Sequence, residues 1–83
     1  MHQKIQLSLH QMKVGQTGTV VQIMGGYGLI RRLEALGIMP GRKVTKLSSI
    51  LFRGPITLKV DNAQIAIGFG MARRIFIEVD VSD

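Results

Sequence analysis

The 83-residue sequence predicts a mainly β fold: a small, strongly curved barrel of about five short strands, with one helix inserted early and short helical turns elsewhere. Two alternating runs carry the β prediction. Ile56, Leu58 and Val60 interleave with Thr57, Lys59 and Asp61, and Ile75, Ile77, Val79 and Val81 interleave with Phe76, Glu78 and Asp80. Helical spacing occurs between these strands and the amino terminus, where Leu29, Ile30, Leu33 and Leu36 recur at i, i+1, i+4 and i+7. A chain of this length buries one core, so residues 1–83 are expected to form a single domain.

In chain order, Ser8 followed by Leu9 and Met12 predicts one capped helical turn, and residues 14–18, VGQTG, punctuate the chain before a first strand over residues 19–23. MGGYG, residues 24–28, breaks that strand and turns it into the helix, whose apolar stripe leaves Arg31, Arg32 and Glu34 outside it. Gly37 ends the helix, because glycine takes the left-handed conformation of a C-cap at little cost. In that motif Ile38 folds back on Leu33, and Met39-Pro40-Gly41-Arg42 follows as a type II turn. The strand beginning at Val44 has apolar residues that slip out of period two, as at a bulge or barrel corner. Asp61-Asn62 is read as a hairpin turn, GFGMARR at 68–74 as a short helical turn, and residues 75–81 as the last strand.

Composition narrows the function classes. The longest apolar or glycine stretch, residues 65–72, is too short to cross a bilayer, no charged-then-apolar leader precedes the domain, and there is no cysteine. A cytoplasmic protein is the expectation, at the inner face of the membrane only through a partner. The net charge is +6, and residues 1–60 hold nine lysines and arginines against Glu34 alone. Such a surface meets something acidic: a nucleic acid, an anionic membrane face or an acidic protein.

Local chemistry is sparse. MGGYG has neither the G-x-G-x-x-G spacing nor the Lys-Ser or Lys-Thr of a phosphate loop, so a strand-to-helix corner is the simpler reading. His2, His10, Glu34, Asp61, Glu78, Asp80 and Asp83 show no local ligand spacing, and methionines 12, 24, 39 and 71 suit core or soft surface better than a metal. Ser8, Ser48 and Ser49 are the candidate nucleophiles with His2 and His10 the only imidazoles, but no triad context surrounds them. Glu78 and Asp80 share one strand face, read as a solvated edge. An enzyme, a metal and a cofactor are therefore not expected. Nucleic-acid binding is the alternative function, favoured by charge; against it, Tyr27, Phe52, Phe69 and Phe76 form no paired aromatic platform.

The order of motifs is more specific. L-x-x-M-K-V-G-x-x-G-x-V at 9–20, R-R-L-E-A-L-G-I-M-P-G-x-x-V at 31–44, G-P-I at 54–56 and A-I-G-x-G-M-A-x-x-I at 66–75 together resemble the FeoA family over nearly the whole chain. The resemblance implies an SH3-like barrel with an early helix, a role as accessory to bacterial ferrous-iron transport, and a partner in FeoB, a membrane Fe(II) transporter with a cytoplasmic nucleotide-hydrolysing domain. Two places depart from the pattern: Arg53-Gly54, where many relatives carry an acid, and Ile67-Gly68, where many carry Leu-Arg. The expected contact surface is the loop tip Ile38, Met39 and Pro40, with Phe52, Arg53 and Pro55 as a second patch and Arg31 and Arg32 as a basic rim; Arg42 is expected to steer association. An alternative role for Met39 is to cover the barrel end against Phe52.

Overall fold

A computed structural model describes residues 2–49 and 54–82. Its strands are β1 (His2–Ser8), β2 (Thr17–Ile23), β3 (Lys43–Ser49), β4 (Ile56–Val60), β5 (Ala63–Ile67) and β6 (Ile75–Ser82). The helices are α1 (Tyr27–Ala35) and α2 (Phe69–Ala72), with a 3-10 turn at Leu9–Gln11. All six strands form one antiparallel sheet in the order β1-β6-β2-β3-β4-β5. The mainly β class agrees with the sequence reading, in two respects with correction. The described residues form six strands rather than about five, and β1 and β5 do not pair among them, so the ladder curls around the core without closing.

The strand missed by sequence is β1. It carries only Ile5 and Leu7 among polar neighbours, Ile5 is 42% exposed, and the alternation that marks a half-buried strand is therefore weak. Seven paired positions along β6, from His2↔Ser82 to Ser8↔Phe76, hold it in place instead. Its presence moves β6 from the edge to the interior. Glu78 and Asp80 consequently share one face of an interior strand, where Glu78 approaches Lys4 of β1 at 3.8 Å, and the reading of an edge is corrected.

One core joins the sheet to both helices. Leu9, Leu33, Leu58, Ile75 and Ile77 are fully buried, each contributing about 1.5–3 kcal/mol relative to exposure. The strands bend where expected: the β3–β4 register shifts between Lys46 and Ser48, just where the apolar period slips, and the β2–β6 register shifts between Val20 and Gln22. The Asp61-Asn62 hairpin is also as predicted, with Asp61 at φ 54°.

Helix α1 has nine residues, too few to persist alone, and is anchored by Leu33 with Leu29 packed at the core's margin. It ends as its sequence dictates. Gly37, at φ 88°, lets its own N–H reach the Glu34 carbonyl at 2.9 Å and the Ile38 N–H reach the Leu33 carbonyl at 2.9 Å, the two bonds of a Schellman cap. The next turn is closed by Arg42 N–H donating to the Met39 carbonyl at 3.1 Å, with Gly41 at φ 96° in the position that a type II turn reserves for glycine. That turn is fastened to the sheet, because Gly41 N–H donates to the Val20 carbonyl and Val20 N–H to the Arg42 carbonyl, both at 2.8 Å.

A buried lysine, unread in the sequence, closes the other side. Lys46 lies on the inward face of β3 at 3% exposure, and its Nζ donates to the carbonyls of Met12 at 2.7 Å and His10 at 3.0 Å. Burial holds the Lys46 amine below the ordinary lysine range. Its backbone is tied to the same segment, Lys46 N–H to the Gln16 carbonyl and Gly15 N–H to the Lys46 carbonyl. The 3-10 turn is secured by Ser8 N–H donating to Gln11 Oε1 at 2.9 Å.

Two measurements check these joints. Lys46→Met keeps the stem but leaves the buried Met12 carbonyl and the partly buried His10 carbonyl without this donor, so its unfolding free energy at neutral pH should fall by about 1–3 kcal/mol. Because the folded-state pKa of Lys46 is lowered, the unfolded chain binds more protons as pH rises from that value to the ordinary lysine range. Wild-type stability gains from this group across the window, so the gap between wild type and Lys46→Met should widen; denaturant melts at several alkaline pH values read it. Gly37→Ala forces a side chain into the left-handed region and should cost about 1–2 kcal/mol in the same assay.

Candidate functional site

The cap and turn decide which residues of the 38–40 loop face outward. Ile38 has no exposed surface and is part of the core, which corrects its reading as an exposed contact residue: the bond to the Leu33 carbonyl draws it inward. An Ile38→Asp exchange would therefore test folding rather than binding. Met39 is half-buried and Pro40 exposed. The side chain of Met39 turns toward α1, where it lines an open groove with Tyr27, Arg31, Glu34 and Ala35.

The helix supplies one wall of that groove. Tyr27, Arg31 and Ala35 follow at i, i+4 and i+8 and so stack along one face, the face left over when the apolar stripe turns to the core. Tyr27 is 73% exposed, and Arg31 is fixed against it in two ways: its guanidinium lies 5.4 Å from the ring centre and Nη1 donates to the tyrosine oxygen at 2.7 Å. The result is a wall with an apolar body, a positive rim from Arg31 and a single carboxylate, Glu34. Arg32 is exposed one position around the helix and is not part of the groove lining.

Other expected contact residues are not brought to this groove. Pro55 is exposed at the start of β4, Phe52 and Arg53 lie outside the described residues, and so does the proposed cover of Met39 by Phe52. Arg42, expected to steer a partner, is engaged within the fold: its Nη1 pairs with Asp61 Oδ2 at 2.5 Å, tying the 39–42 turn to the β4–β5 hairpin. Tyr27, Glu34 and Ala35 were not among the contact residues expected from the sequence. Their signal was present as the i, i+4 face opposite the apolar stripe.

Of the candidate nucleophiles and bases, the structure brings Ser8 and His10 together, with Ser8 Oγ hydrogen-bonded to His10 Nδ1. The pair is a local turn contact. Ser8 is 3% exposed and also bonds Gln11, the His10 ring packs edge-on against Phe69, and no carboxylate orients it among the described residues. Burial, then the charges of Lys46 and Arg73, hold His10 below the usual imidazole range. Among the described residues no group of three His, Asp or Glu is placed to hold a metal ion, and no helix is long and apolar enough to cross a membrane.

Comparison with known proteins agrees with this architecture. The family model of the FeoA domain matches residues 7–79. The protein named "Putative Fe(2+) transport protein A" of Methanocaldococcus jannaschii is 33% identical over 66 residues, 80% of this chain and 78% of that one. The crystal structure of an iron uptake regulatory protein, FeoA, superposes with a TM-score of 0.84 at 32% identity, covering 93% of this chain and 100% of the other. A manganese-dependent transcriptional repressor superposes with a TM-score of 0.83 at 25% identity, over 95% of this chain and 44% of the repressor. The SH3-like, mainly β fold is thus shared, and the chain belongs to the FeoA domain family, which is associated with Fe(2+) transport.

Proposed function

We propose that this chain is a non-enzymatic adaptor of ferrous-iron uptake that works in the cytoplasm and docks on the cytoplasmic part of an FeoB-type transporter. The observation that carries the docking surface is the groove between Met39 and the Tyr27–Arg31 face of α1. Protein contacts draw their affinity from a few aromatic, methionine and arginine anchors on a rigid support, and this groove offers one of each. Rigidity comes from the Schellman cap, the type II turn and the two bonds to Val20, so little ordering entropy remains to be lost on binding. The family's association with Fe(2+) transport supplies the partner class. Iron in this reading is the cargo of the partner, and the chain itself acts through contact.

The surface is revised from the one expected at the outset. Met39, Pro40 and Arg31 remain in it, Tyr27 joins them, Ile38 leaves it for the core, Arg32 is adjacent on the helix, and Pro55 is not part of it. Titration calorimetry against the transporter's purified cytoplasmic domain tests it. Met39→Asp should weaken binding about thirtyfold or more while the variant stays folded, since Met39 is only half-buried. Val14→Asp, at a residue 60% exposed on a different loop, should bind as the wild type does. A folded Met39→Asp variant with unchanged affinity would contradict the groove as the docking surface.

A further inference from the structure

A second concave surface lies on the other side of the β2–α1 corner. Met24 and Gly25 form one wall, Arg73, Arg74 and Phe76 the other, enclosing a cleft of about 390 Å³. Both walls are set by backbone bonds. Met24 N–H donates to the Arg74 carbonyl at 2.8 Å, Arg73 N–H to the Phe69 carbonyl and Arg74 N–H to the Met71 carbonyl, each of the latter at 3.0 Å. Two consecutive arginines thereby line the same cleft, both exposed.

Their charge is uncompensated. Among the described residues Asp61 pairs with Arg42, Glu78 approaches Lys4, Asp80 lines a different groove beside Lys43 and Thr17, and Glu34 lines the docking groove. None of these acids lines the cleft, and neither Arg73 nor Arg74 has an ion pair among the described residues. Like charges placed together without a counter-charge repel, and an anion seated between them removes that repulsion. Two guanidinium forks offer more donors than the two oxygens of a carboxylate can accept, whereas a phosphate presents three or four oxygens in matching geometry. Beside them, Met24 at 51% exposure and half-buried Phe76 give the carbon body of a ligand an apolar wall.

We propose that the cleft between Met24–Gly25 and Arg73–Arg74 is a binding site for a phosphate group, either free in a small ligand or carried by a lipid headgroup. The site is separate from the Met39 groove and stands whether or not that groove docks a transporter. The test titrates the full chain with pyrophosphate, against sodium chloride at equal ionic strength, and follows backbone amide resonances. Saturable shifts are expected at Met24, Gly25, Arg73, Arg74 and Phe76. The double variant Arg73→Gln, Arg74→Gln should lower affinity about tenfold or more, while Lys43→Gln, Lys59→Gln, which removes the same charge elsewhere, should not. A parallel arm floats the protein with phosphatidylcholine vesicles containing phosphatidylglycerol. Arg73- and Arg74-dependent retention supports the site and assigns its phosphate to a lipid headgroup; pyrophosphate saturation without retention supports it and assigns a free phosphate. Shifts that follow ionic strength alone with no vesicle retention, or binding in either arm that the two double variants weaken equally, overturn the proposal.

Discussion

Everything that this surface displays depends on one backbone bond, the Ile38 N–H to the Leu33 carbonyl, made reachable by Gly37 at φ 88°. The bond settles three matters together. It stops α1 after nine residues, it commits Ile38 to the core beneath Leu33, and it leaves Met39 as the next residue free to turn outward. A helix one residue longer would rotate Met39 by about 100°. The type II turn that follows then fixes the loop to Val20 of β2, so the position of Met39 relative to α1 is set by hydrogen bonds at both ends rather than by its own packing.

The opposite side of the fold is governed by a different economy of polar groups. The segment between the 3-10 turn and β2 has to expose or satisfy its carbonyls, and Lys46 satisfies two of them from inside the core, those of His10 and Met12. A cation in that position is costly to desolvate, as the lowered pKa of the amine reflects. It is tolerated because both bonds are made to fixed backbone oxygens, and because Gly15 and Gln16 hold the same segment against β3. The joint is made at the middle of β3, and the turn that follows the Gly37 cap leads into the start of the same strand, so β3 links the segment after β1 to the groove.

Much of the fold was legible from local patterns. The helix with its Leu29 and Leu33 stripe, the Gly37 cap, the Pro40-Gly41 turn, the slip in β3, the Asp61-Asn62 hairpin and the alternating β4 and β6 all have short-range causes and all occur, although Leu36, expected on the stripe, caps the helix and is exposed. What escaped had long-range causes. β1 is a strand because β6 pairs with it, and Lys46 is buried because carbonyls more than thirty residues away receive it. The candidate surface was legible only in part for the same reason. Met39 and Arg31 are recognisable as a loop tip and a basic helix residue, but that they line one groove with Tyr27 follows from how α1 and the turn are folded together. Ile38 shows the limit of reading exposure from a loop position: the cap that named it also buried it.

Backbone amide mapping of the isotopically labelled chain, mixed with the unlabelled cytoplasmic domain of an FeoB-type transporter, tests the proposed docking surface without altering a residue. Perturbations concentrated on Tyr27, Arg31, Ala35 and Met39, with β1 and β5 unmoved, are the predicted result. Perturbations centred on a sheet edge or on the Val14 loop, with the Met39 groove silent, would contradict it.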